Sequence, residues 1–223
     1  MGDFHQTGVI TTLHRLGTPS LSYVEGELKE CTRDRPIALV LPCLHTEIDG
    51  PALPRIVERL REVPYLHQVI VSISGTERRE EFARARKFFS ALPGAVCLWE
   101  SGPTVGELLR RLRENGLDAG PEGKGRAAWL GIGYALAVGE AEVLAFHDCD
   151  VVTYERELLG RLCLPVAHPN LDYEFCKGYY ARATSRLHGR VTRLFITPLL
   201  RSIQRTLGPL PLVEFLDSFR YLL

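Results

Sequence analysis

The sequence predicts an α/β fold in which a mostly parallel sheet is flanked by helices on both faces. Three observations predict it. Short apolar runs of strand length alternate four times with longer segments of helical spacing. Glycine and proline mark several of the segment boundaries, at Pro36, Pro42, Gly75, Gly116 and Gly120 to Gly125. The residues with chemical interest all follow the carboxyl ends of the strand-like runs, where ligands bind in such sheets.

The elements follow in order. Residues 1 to about 34 are mixed and polar, and read as an N-terminal arm (1–35) or a short helix. Pro36-Ile37-Ala38-Leu39-Val40-Leu41-Pro42 is a continuous apolar run bounded by prolines, the pattern of a strand buried on both faces. From Leu53 to Arg61 the apolar residues Leu53, Ile56, Val57 and Leu60 form one helical stripe. Val69 to Ile73 is a second strand, ending at Ser74-Gly75-Thr76. Glu77 to Leu92 is a charged helix with Phe82, Ala85, Phe88 and Phe89 inward. Ala95 to Trp99 is a third strand, and Thr104 to Asn115 a helix stopped by Gly116. A glycine-rich loop from Gly120 to Gly125 leads into a helix from Arg126 to Val138, and Glu142 to Phe146 is a fourth strand. Beyond Asp150 the texture changes. Leu158 to Leu162 reads as helix, Tyr173 to Tyr180 as strand, and Val191 to Leu207 as a helix that Pro198 should kink. The expected division is the arm, an α/β unit at 36–152 and a second unit at 153–223.

The chain has 223 residues, 45% hydrophobic and 24% charged, enough to bury a substantial core. Basic and acidic residues balance at 27 each. That balance supplies no global pull toward nucleic acid or membrane, so any anion site is local. No apolar run reaches the roughly 20 residues a membrane helix needs, and Met1 to Leu16 lack the apolar core of a secretory signal. The six cysteines, Cys31, Cys43, Cys97, Cys149, Cys163 and Cys176, form no CxxC pair, and read as reduced thiols of a cytoplasmic protein.

The motif of most interest is Phe146-His147-Asp148-Cys149-Asp150, directly behind the fourth strand. Two aspartates at i and i+2 leave a strand on one face. Convergent carboxylates suit a hard divalent cation, Mg2+ or Mn2+, which in turn suits a diphosphate. Taken alone, Asp148 and Asp150 equally suit a helix or turn cap. Cys149 fits by its small size, and His147 points to the opposite side. About 25 residues upstream, Gly123-Lys124-Gly125 precedes a helix whose first amides and lysine can meet a phosphate. No Walker motif is present, because Arg126 follows Gly125. Pro42-Cys43-Leu44-His45-Thr46-Glu47 closes the first strand with polar groups that could hold a base and ribose, or be plain loop. His188-Gly189-Arg190-Val191-Thr192, with Arg182, Arg186 and Arg193 nearby, offers amides, a guanidinium and a hydroxyl for a carboxylate or phosphate, or else a solvated basic face. No nucleophile elbow and no RNA-binding aromatic signature appear.

Strand-Pro-x-Leu, Gly-Lys-Gly at a helix start and an Asp-x-Asp strand end resemble the GT-A fold nucleotide-sugar glycosyltransferases, a Rossmann-type architecture. Gly189-Arg190-Val191-Thr192-Arg193-Leu194, followed by Thr197-Pro198-Leu199-Leu200, resembles the glucosyl-3-phosphoglycerate synthase family over roughly residues 36 to 223. The resemblance implies transfer of glucose from a nucleotide-diphosphate sugar, UDP-glucose favoured, to 3-phosphoglycerate with retention and with Mg2+ or Mn2+, in compatible-solute synthesis. It implies donor contacts from Pro42, Leu44, Glu47, Ser74, Gly75, Lys124, Asp148 and Cys149, with Asp150 the direct metal ligand. It implies an acceptor cradle of Gly189, Arg190, Val191 and Thr192, with Asp150 and Arg190 carrying catalysis. The alternatives are a GDP-mannose-using synthase of the mannosyl-3-phosphoglycerate type and a non-catalytic nucleotide-sugar-binding module; a nucleotidyltransferase would need a Gly-rich signature that Pro42 to Gly50 lacks. The family shows an Asn-Glu-Glu type run where this chain has His45-Thr46-Glu47, and its loop before Gly123 is shorter. Its metal-binding histidine lies past the point where this chain ends, which implies a truncated sequence. The apolar stretch Pro209 to Leu223 suits a partner surface, either more chain or another subunit in a homodimer.

Overall fold

A computed structural model describes residues 10–12, 19–171, 173–178 and 197–207. The chain divides into two compact units, Thr18–Asp172 and a second built from Met1–Gly17 and Tyr173–Leu223. In the second unit, β1 (Ile10–Thr12) pairs in parallel with β6 (Phe175–Lys177), Ile10 opposite Phe175, and α7 spans Thr197–Leu207.

The larger unit begins with α1 (Leu21–Cys31), whose first turn is capped by the Ser20 hydroxyl accepting the Tyr23 N–H. Then follow β2 (Ile37–Leu44), a 3-10 turn at His45–Asp49, α2 (Leu53–Leu60), β3 (Leu66–Ser74), α3 (Arg79–Phe89) and β4 (Ala95–Trp99). The chain continues through α4 (Pro103–Glu114), α5 (Lys124–Val138), β5 (Val143–Phe146) and α6 (Arg156–Ala167). The four strands lie in the order β4-β3-β2-β5, and all are parallel. The expected α/β fold with a mostly parallel, helix-flanked sheet is therefore the one observed.

The central strands β2 and β3 are buried on both faces, as their continuous apolar runs require. Leu39, Leu41, Val69, Val71 and Ile73 join α1, α2, α3 and α6 in the larger core. Ala38, Val40 and Ile70 face the other way and meet α5 through Ala135 and Tyr134. The α2 stripe of Leu53, Ile56, Val57 and Leu60 is wholly buried, as its spacing predicts. Helix α5 lies unusually close to the sheet. A Cβ at Gly131 would come 2.4 Å from Val40 Cγ1, so only glycine fits there. Among the described residues, no helix is long and apolar enough to cross a membrane.

Candidate functional site

β2 and β5 pair only as far as Val40 and Phe146, and the last bond is the His147 N–H donating to the Val40 carbonyl at 3.3 Å. Beyond that point β2 runs on to Leu44 against β3 alone. The strand order also reverses here: the chain moves outward from β2 through β3 to β4, then returns to β5 on the other side of β2. A crevice at the carboxyl ends of β2 and β5 follows, the position that open α/β sheets give to ligands. Pro42 sits within β2, which runs two residues past it to Leu44, because no strand on the β5 side needs its missing N–H.

The alternation of β5 persists into the turn after it. Val143, Ala145, His147 and Cys149 are buried, while Phe146 and Asp150 are exposed and Asp148 is half-buried. The two aspartates thus share the open face. His147 takes the opposite one, stacking edge-on against Tyr154 at 5.1 Å, and burial lowers its pKa to about 4.

Lys124 opens α5 and places its Nζ 2.6 Å from Asp148 Oδ1. Lys124 is well exposed and Asp148 partly so, and the contact neutralises charge without adding much stability. Glu47 lies in the 3-10 turn, where its Oε2 accepts the Leu44 N–H at 2.7 Å. Burial raises the Glu47 pKa; the Leu44 bond opposes this, the Asp150 charge adds to it, and Lys124 opposes it again. Glu47, Asp150 and Lys124 therefore act within one electrostatic neighbourhood.

Cys43 and Cys149, both buried, come together with Glu47 beneath this surface. Ser74, at the end of β3, is buried and donates to the Cys43 carbonyl at 3.4 Å. Gly75 has φ 74°, and a Cβ there would lie 2.9 Å from Leu44 Cδ1. Glycine is what allows the end of β3 to pass so close to the exposed Leu44. Pro42, Leu44, Glu47, Ser74, Gly75, Lys124, Asp148, Cys149 and Asp150 thus gather at one end of the sheet. Gly189, Arg190, Val191 and Thr192, with Arg182, Arg186, His188 and Arg193, lie outside the described residues, as do Pro209 to Leu223.

Sequence reasoning missed three residues. Glu100, only 1% exposed, follows β4 and accepts from Arg126 Nε at 2.5 Å. Arg126 also donates to the Gly120 carbonyl at 3.1 Å. Burial raises the Glu100 pKa, and the Arg126 guanidinium draws it back. Glu122 accepts the Gly75 N–H at 2.6 Å and the Ser101 hydroxyl at 3.1 Å. These bonds tie the glycine-rich loop to the ends of β3 and β4. The only signal in the sequence was a glutamate placed directly after an apolar run.

The crevice therefore presents carboxylates for a hard cation, and a lysine and a helix N-terminus for phosphate. No family model matches the chain. The glucosyl-3-phosphoglycerate synthase of Persephonella marina is 45% identical over 224 residues, which take in 100% of this chain and 55% of that protein. Its counterpart from Methanococcoides burtonii is 33% identical over 226 residues, 99% of this chain and 54% of that one. The chain is a homologue of the glucosyl-3-phosphoglycerate synthases. It spans about half the length of the curated relatives it matches. The fold is shared with the glucosyl-3-phosphoglycerate synthase of Mycobacterium tuberculosis, solved with Mn2+, UDP-glucose and phosphoglyceric acid. The TM-score is 0.54 at 23% identity, over 90% of this chain and 60% of that one.

Proposed function

We propose that this chain carries the donor site of a metal-dependent, retaining glucosyltransferase that moves glucose from UDP-glucose to 3-phosphoglycerate. The observation that carries the reading is the meeting of Asp148, Asp150, Glu47 and Lys124 at the reversal of strand order. Homology along the whole chain to synthases of that name supports it. The six cysteines form no disulfide, which suits a cytoplasmic setting.

The residues present fit Mg2+ or Mn2+. The Asp150 charge already pushes the Glu47 carboxyl upward, and a hard cation would relieve that repulsion. Asp150 would be its direct ligand. When bound, the cation neutralises the donor diphosphate as a leaving group. Lys124 leaves Asp148 for the diphosphate, and Asp148 is then free for the ribose. Leu44 supplies an apolar face for the base, with Ser74 and Gly75 at its edge. Residues 36–152 form the donor half, and 153–223 bear the acceptor cradle of Gly189, Arg190, Val191 and Thr192. Retention follows from attack on the donor face: the acceptor oxygen bonds to the anomeric carbon as the bond to phosphate breaks. The departing phosphate oxygen takes the acceptor proton. Holding both substrates in that geometry supplies the entropic part of the acceleration.

Calorimetric titration with UDP tests the site. Mn2+ should strengthen UDP binding by about tenfold or more, and Asp150→Asn should remove that gain. Equal Mn2+ dependence in the variant would overturn the assignment. GDP serves as the competing nucleotide, and tighter GDP binding would favour the mannosyl donor. Turnover of UDP-glucose with 3-phosphoglycerate, followed by the anomeric proton coupling of the product, tests transfer and retention.

A further inference from the structure

Beneath the two aspartates lies a set of softer ligands. Cys43 Sγ, a Glu47 carboxylate oxygen and Cys149 Sγ all lie within 4.8 Å of one another. Cys43 is 1% exposed and Cys149 2% exposed, from the ends of different strands that only the sheet brings together. The Cys43 thiol donates to the Leu44 carbonyl at 3.3 Å, which holds its sulfur at the end of β2 beside the other two groups.

We infer that Cys43, Cys149 and Glu47 form a second cation site, selective for a thiophilic divalent ion of the Zn2+ or Cd2+ class. Two thiolates bound to zinc at about 2.3 Å stand roughly 3.8 Å apart in tetrahedral geometry. The observed grouping needs a contraction of about 1 Å or less to reach it. Sulfur ligands select soft or borderline ions, whereas the carboxylates above them select Mg2+ or Mn2+. Three protein ligands leave a fourth position for water, facing the crevice through Glu47. Thiols bind a metal as thiolates, so uptake releases protons and affinity should fall as pH falls. An ion held here would lie beside Asp150, so occupation should compete with Mn2+-dependent nucleotide binding. The inference rests on the thiol pair and stands independently of the proposed transferase reading.

Co2+ titration of the reduced, metal-free protein tests it, read by thiolate-to-metal charge-transfer absorption. One equivalent should produce the band, Zn2+ should bleach it, and Mg2+ should leave it intact. Cys43→Ser and Cys149→Ser should each abolish it. Asp150→Asn should retain it whether or not UDP binding survives, which separates this result from the donor-site reading. Glu47→Gln keeps both thiols and removes only the charged oxygen ligand. It should preserve the band at about tenfold weaker Co2+ affinity, so the test does not depend on the folding of the cysteine variants. The absence of a band in the unaltered chain would overturn the inference, as would a band that persists in the Cys43→Ala, Cys149→Ala double variant.

Discussion

His147 shows how a single side chain in this chain couples position to stability. It is 6% exposed, and neither ring nitrogen has a hydrogen-bond partner among the described residues. Burial lowers its pKa from 6.5 to about 4, and only the neighbouring Asp148 charge works the other way. The folded state therefore binds fewer protons than the unfolded chain between those two values. Stability rises with pH through that window, and is lost as pH falls from about 6.5 toward 4. The gap corresponds to about 3 kcal/mol, an upper figure for one buried group. We expect His147→Phe, which keeps an aromatic edge against Tyr154, to lose most of this acid sensitivity. Urea denaturation at several pH values, with a chelator present, checks it. An unchanged pH slope would mean that other groups carry the effect.

At the level of elements, β4 was expected at Ala95 to Trp99, and it spans those residues. Helix α5 begins two residues earlier than expected, which puts Lys124 on the first turn itself. These boundaries were legible because apolar period and glycine placement are local signals. The link between Glu100 and Arg126 was not, because a pair across 26 residues depends on which strands become neighbours. The convergence of Cys43 with Cys149 was hidden for the same reason: it follows from β2 lying beside β5. Arg126 fixes the start of α5 through Glu100 and the loop through Gly120. Arg126→Ala would leave a buried carboxylate without its cation, at a cost of about 3 kcal/mol. Glu100→Gln in the same chain should return part of that loss, because the uncompensated charge is gone. A double-mutant cycle by denaturation measures the coupling. Independent, additive losses would show that the pair does not act as a unit.

At the scale of the molecule, zero net charge sets how the proposed donor would arrive. Long-range steering requires a field of one sign extending well beyond the contact distance. Here 27 basic and 27 acidic residues largely cancel at such range, and Lys124 is already matched by Asp148. In the proposed reading, the attraction for a diphosphate is therefore confined to the crevice, where the N-terminus of α5 and a cation held there would act over a few ångströms. Lowering the ionic strength from about 150 mM to about 10 mM lengthens the screening distance from about 8 Å to about 30 Å. A steered ligand would gain one or more orders of magnitude in association rate over that range. For this chain, UDP association in the presence of Mn2+ should change by no more than about threefold. Stopped-flow fluorescence, using the partly buried Trp99 and the exposed Trp129 as reporters, measures that rate directly. A steep salt dependence would place an unbalanced positive surface beside the crevice. The basic run from Arg182 to Arg193 would then be the first segment to neutralise by substitution.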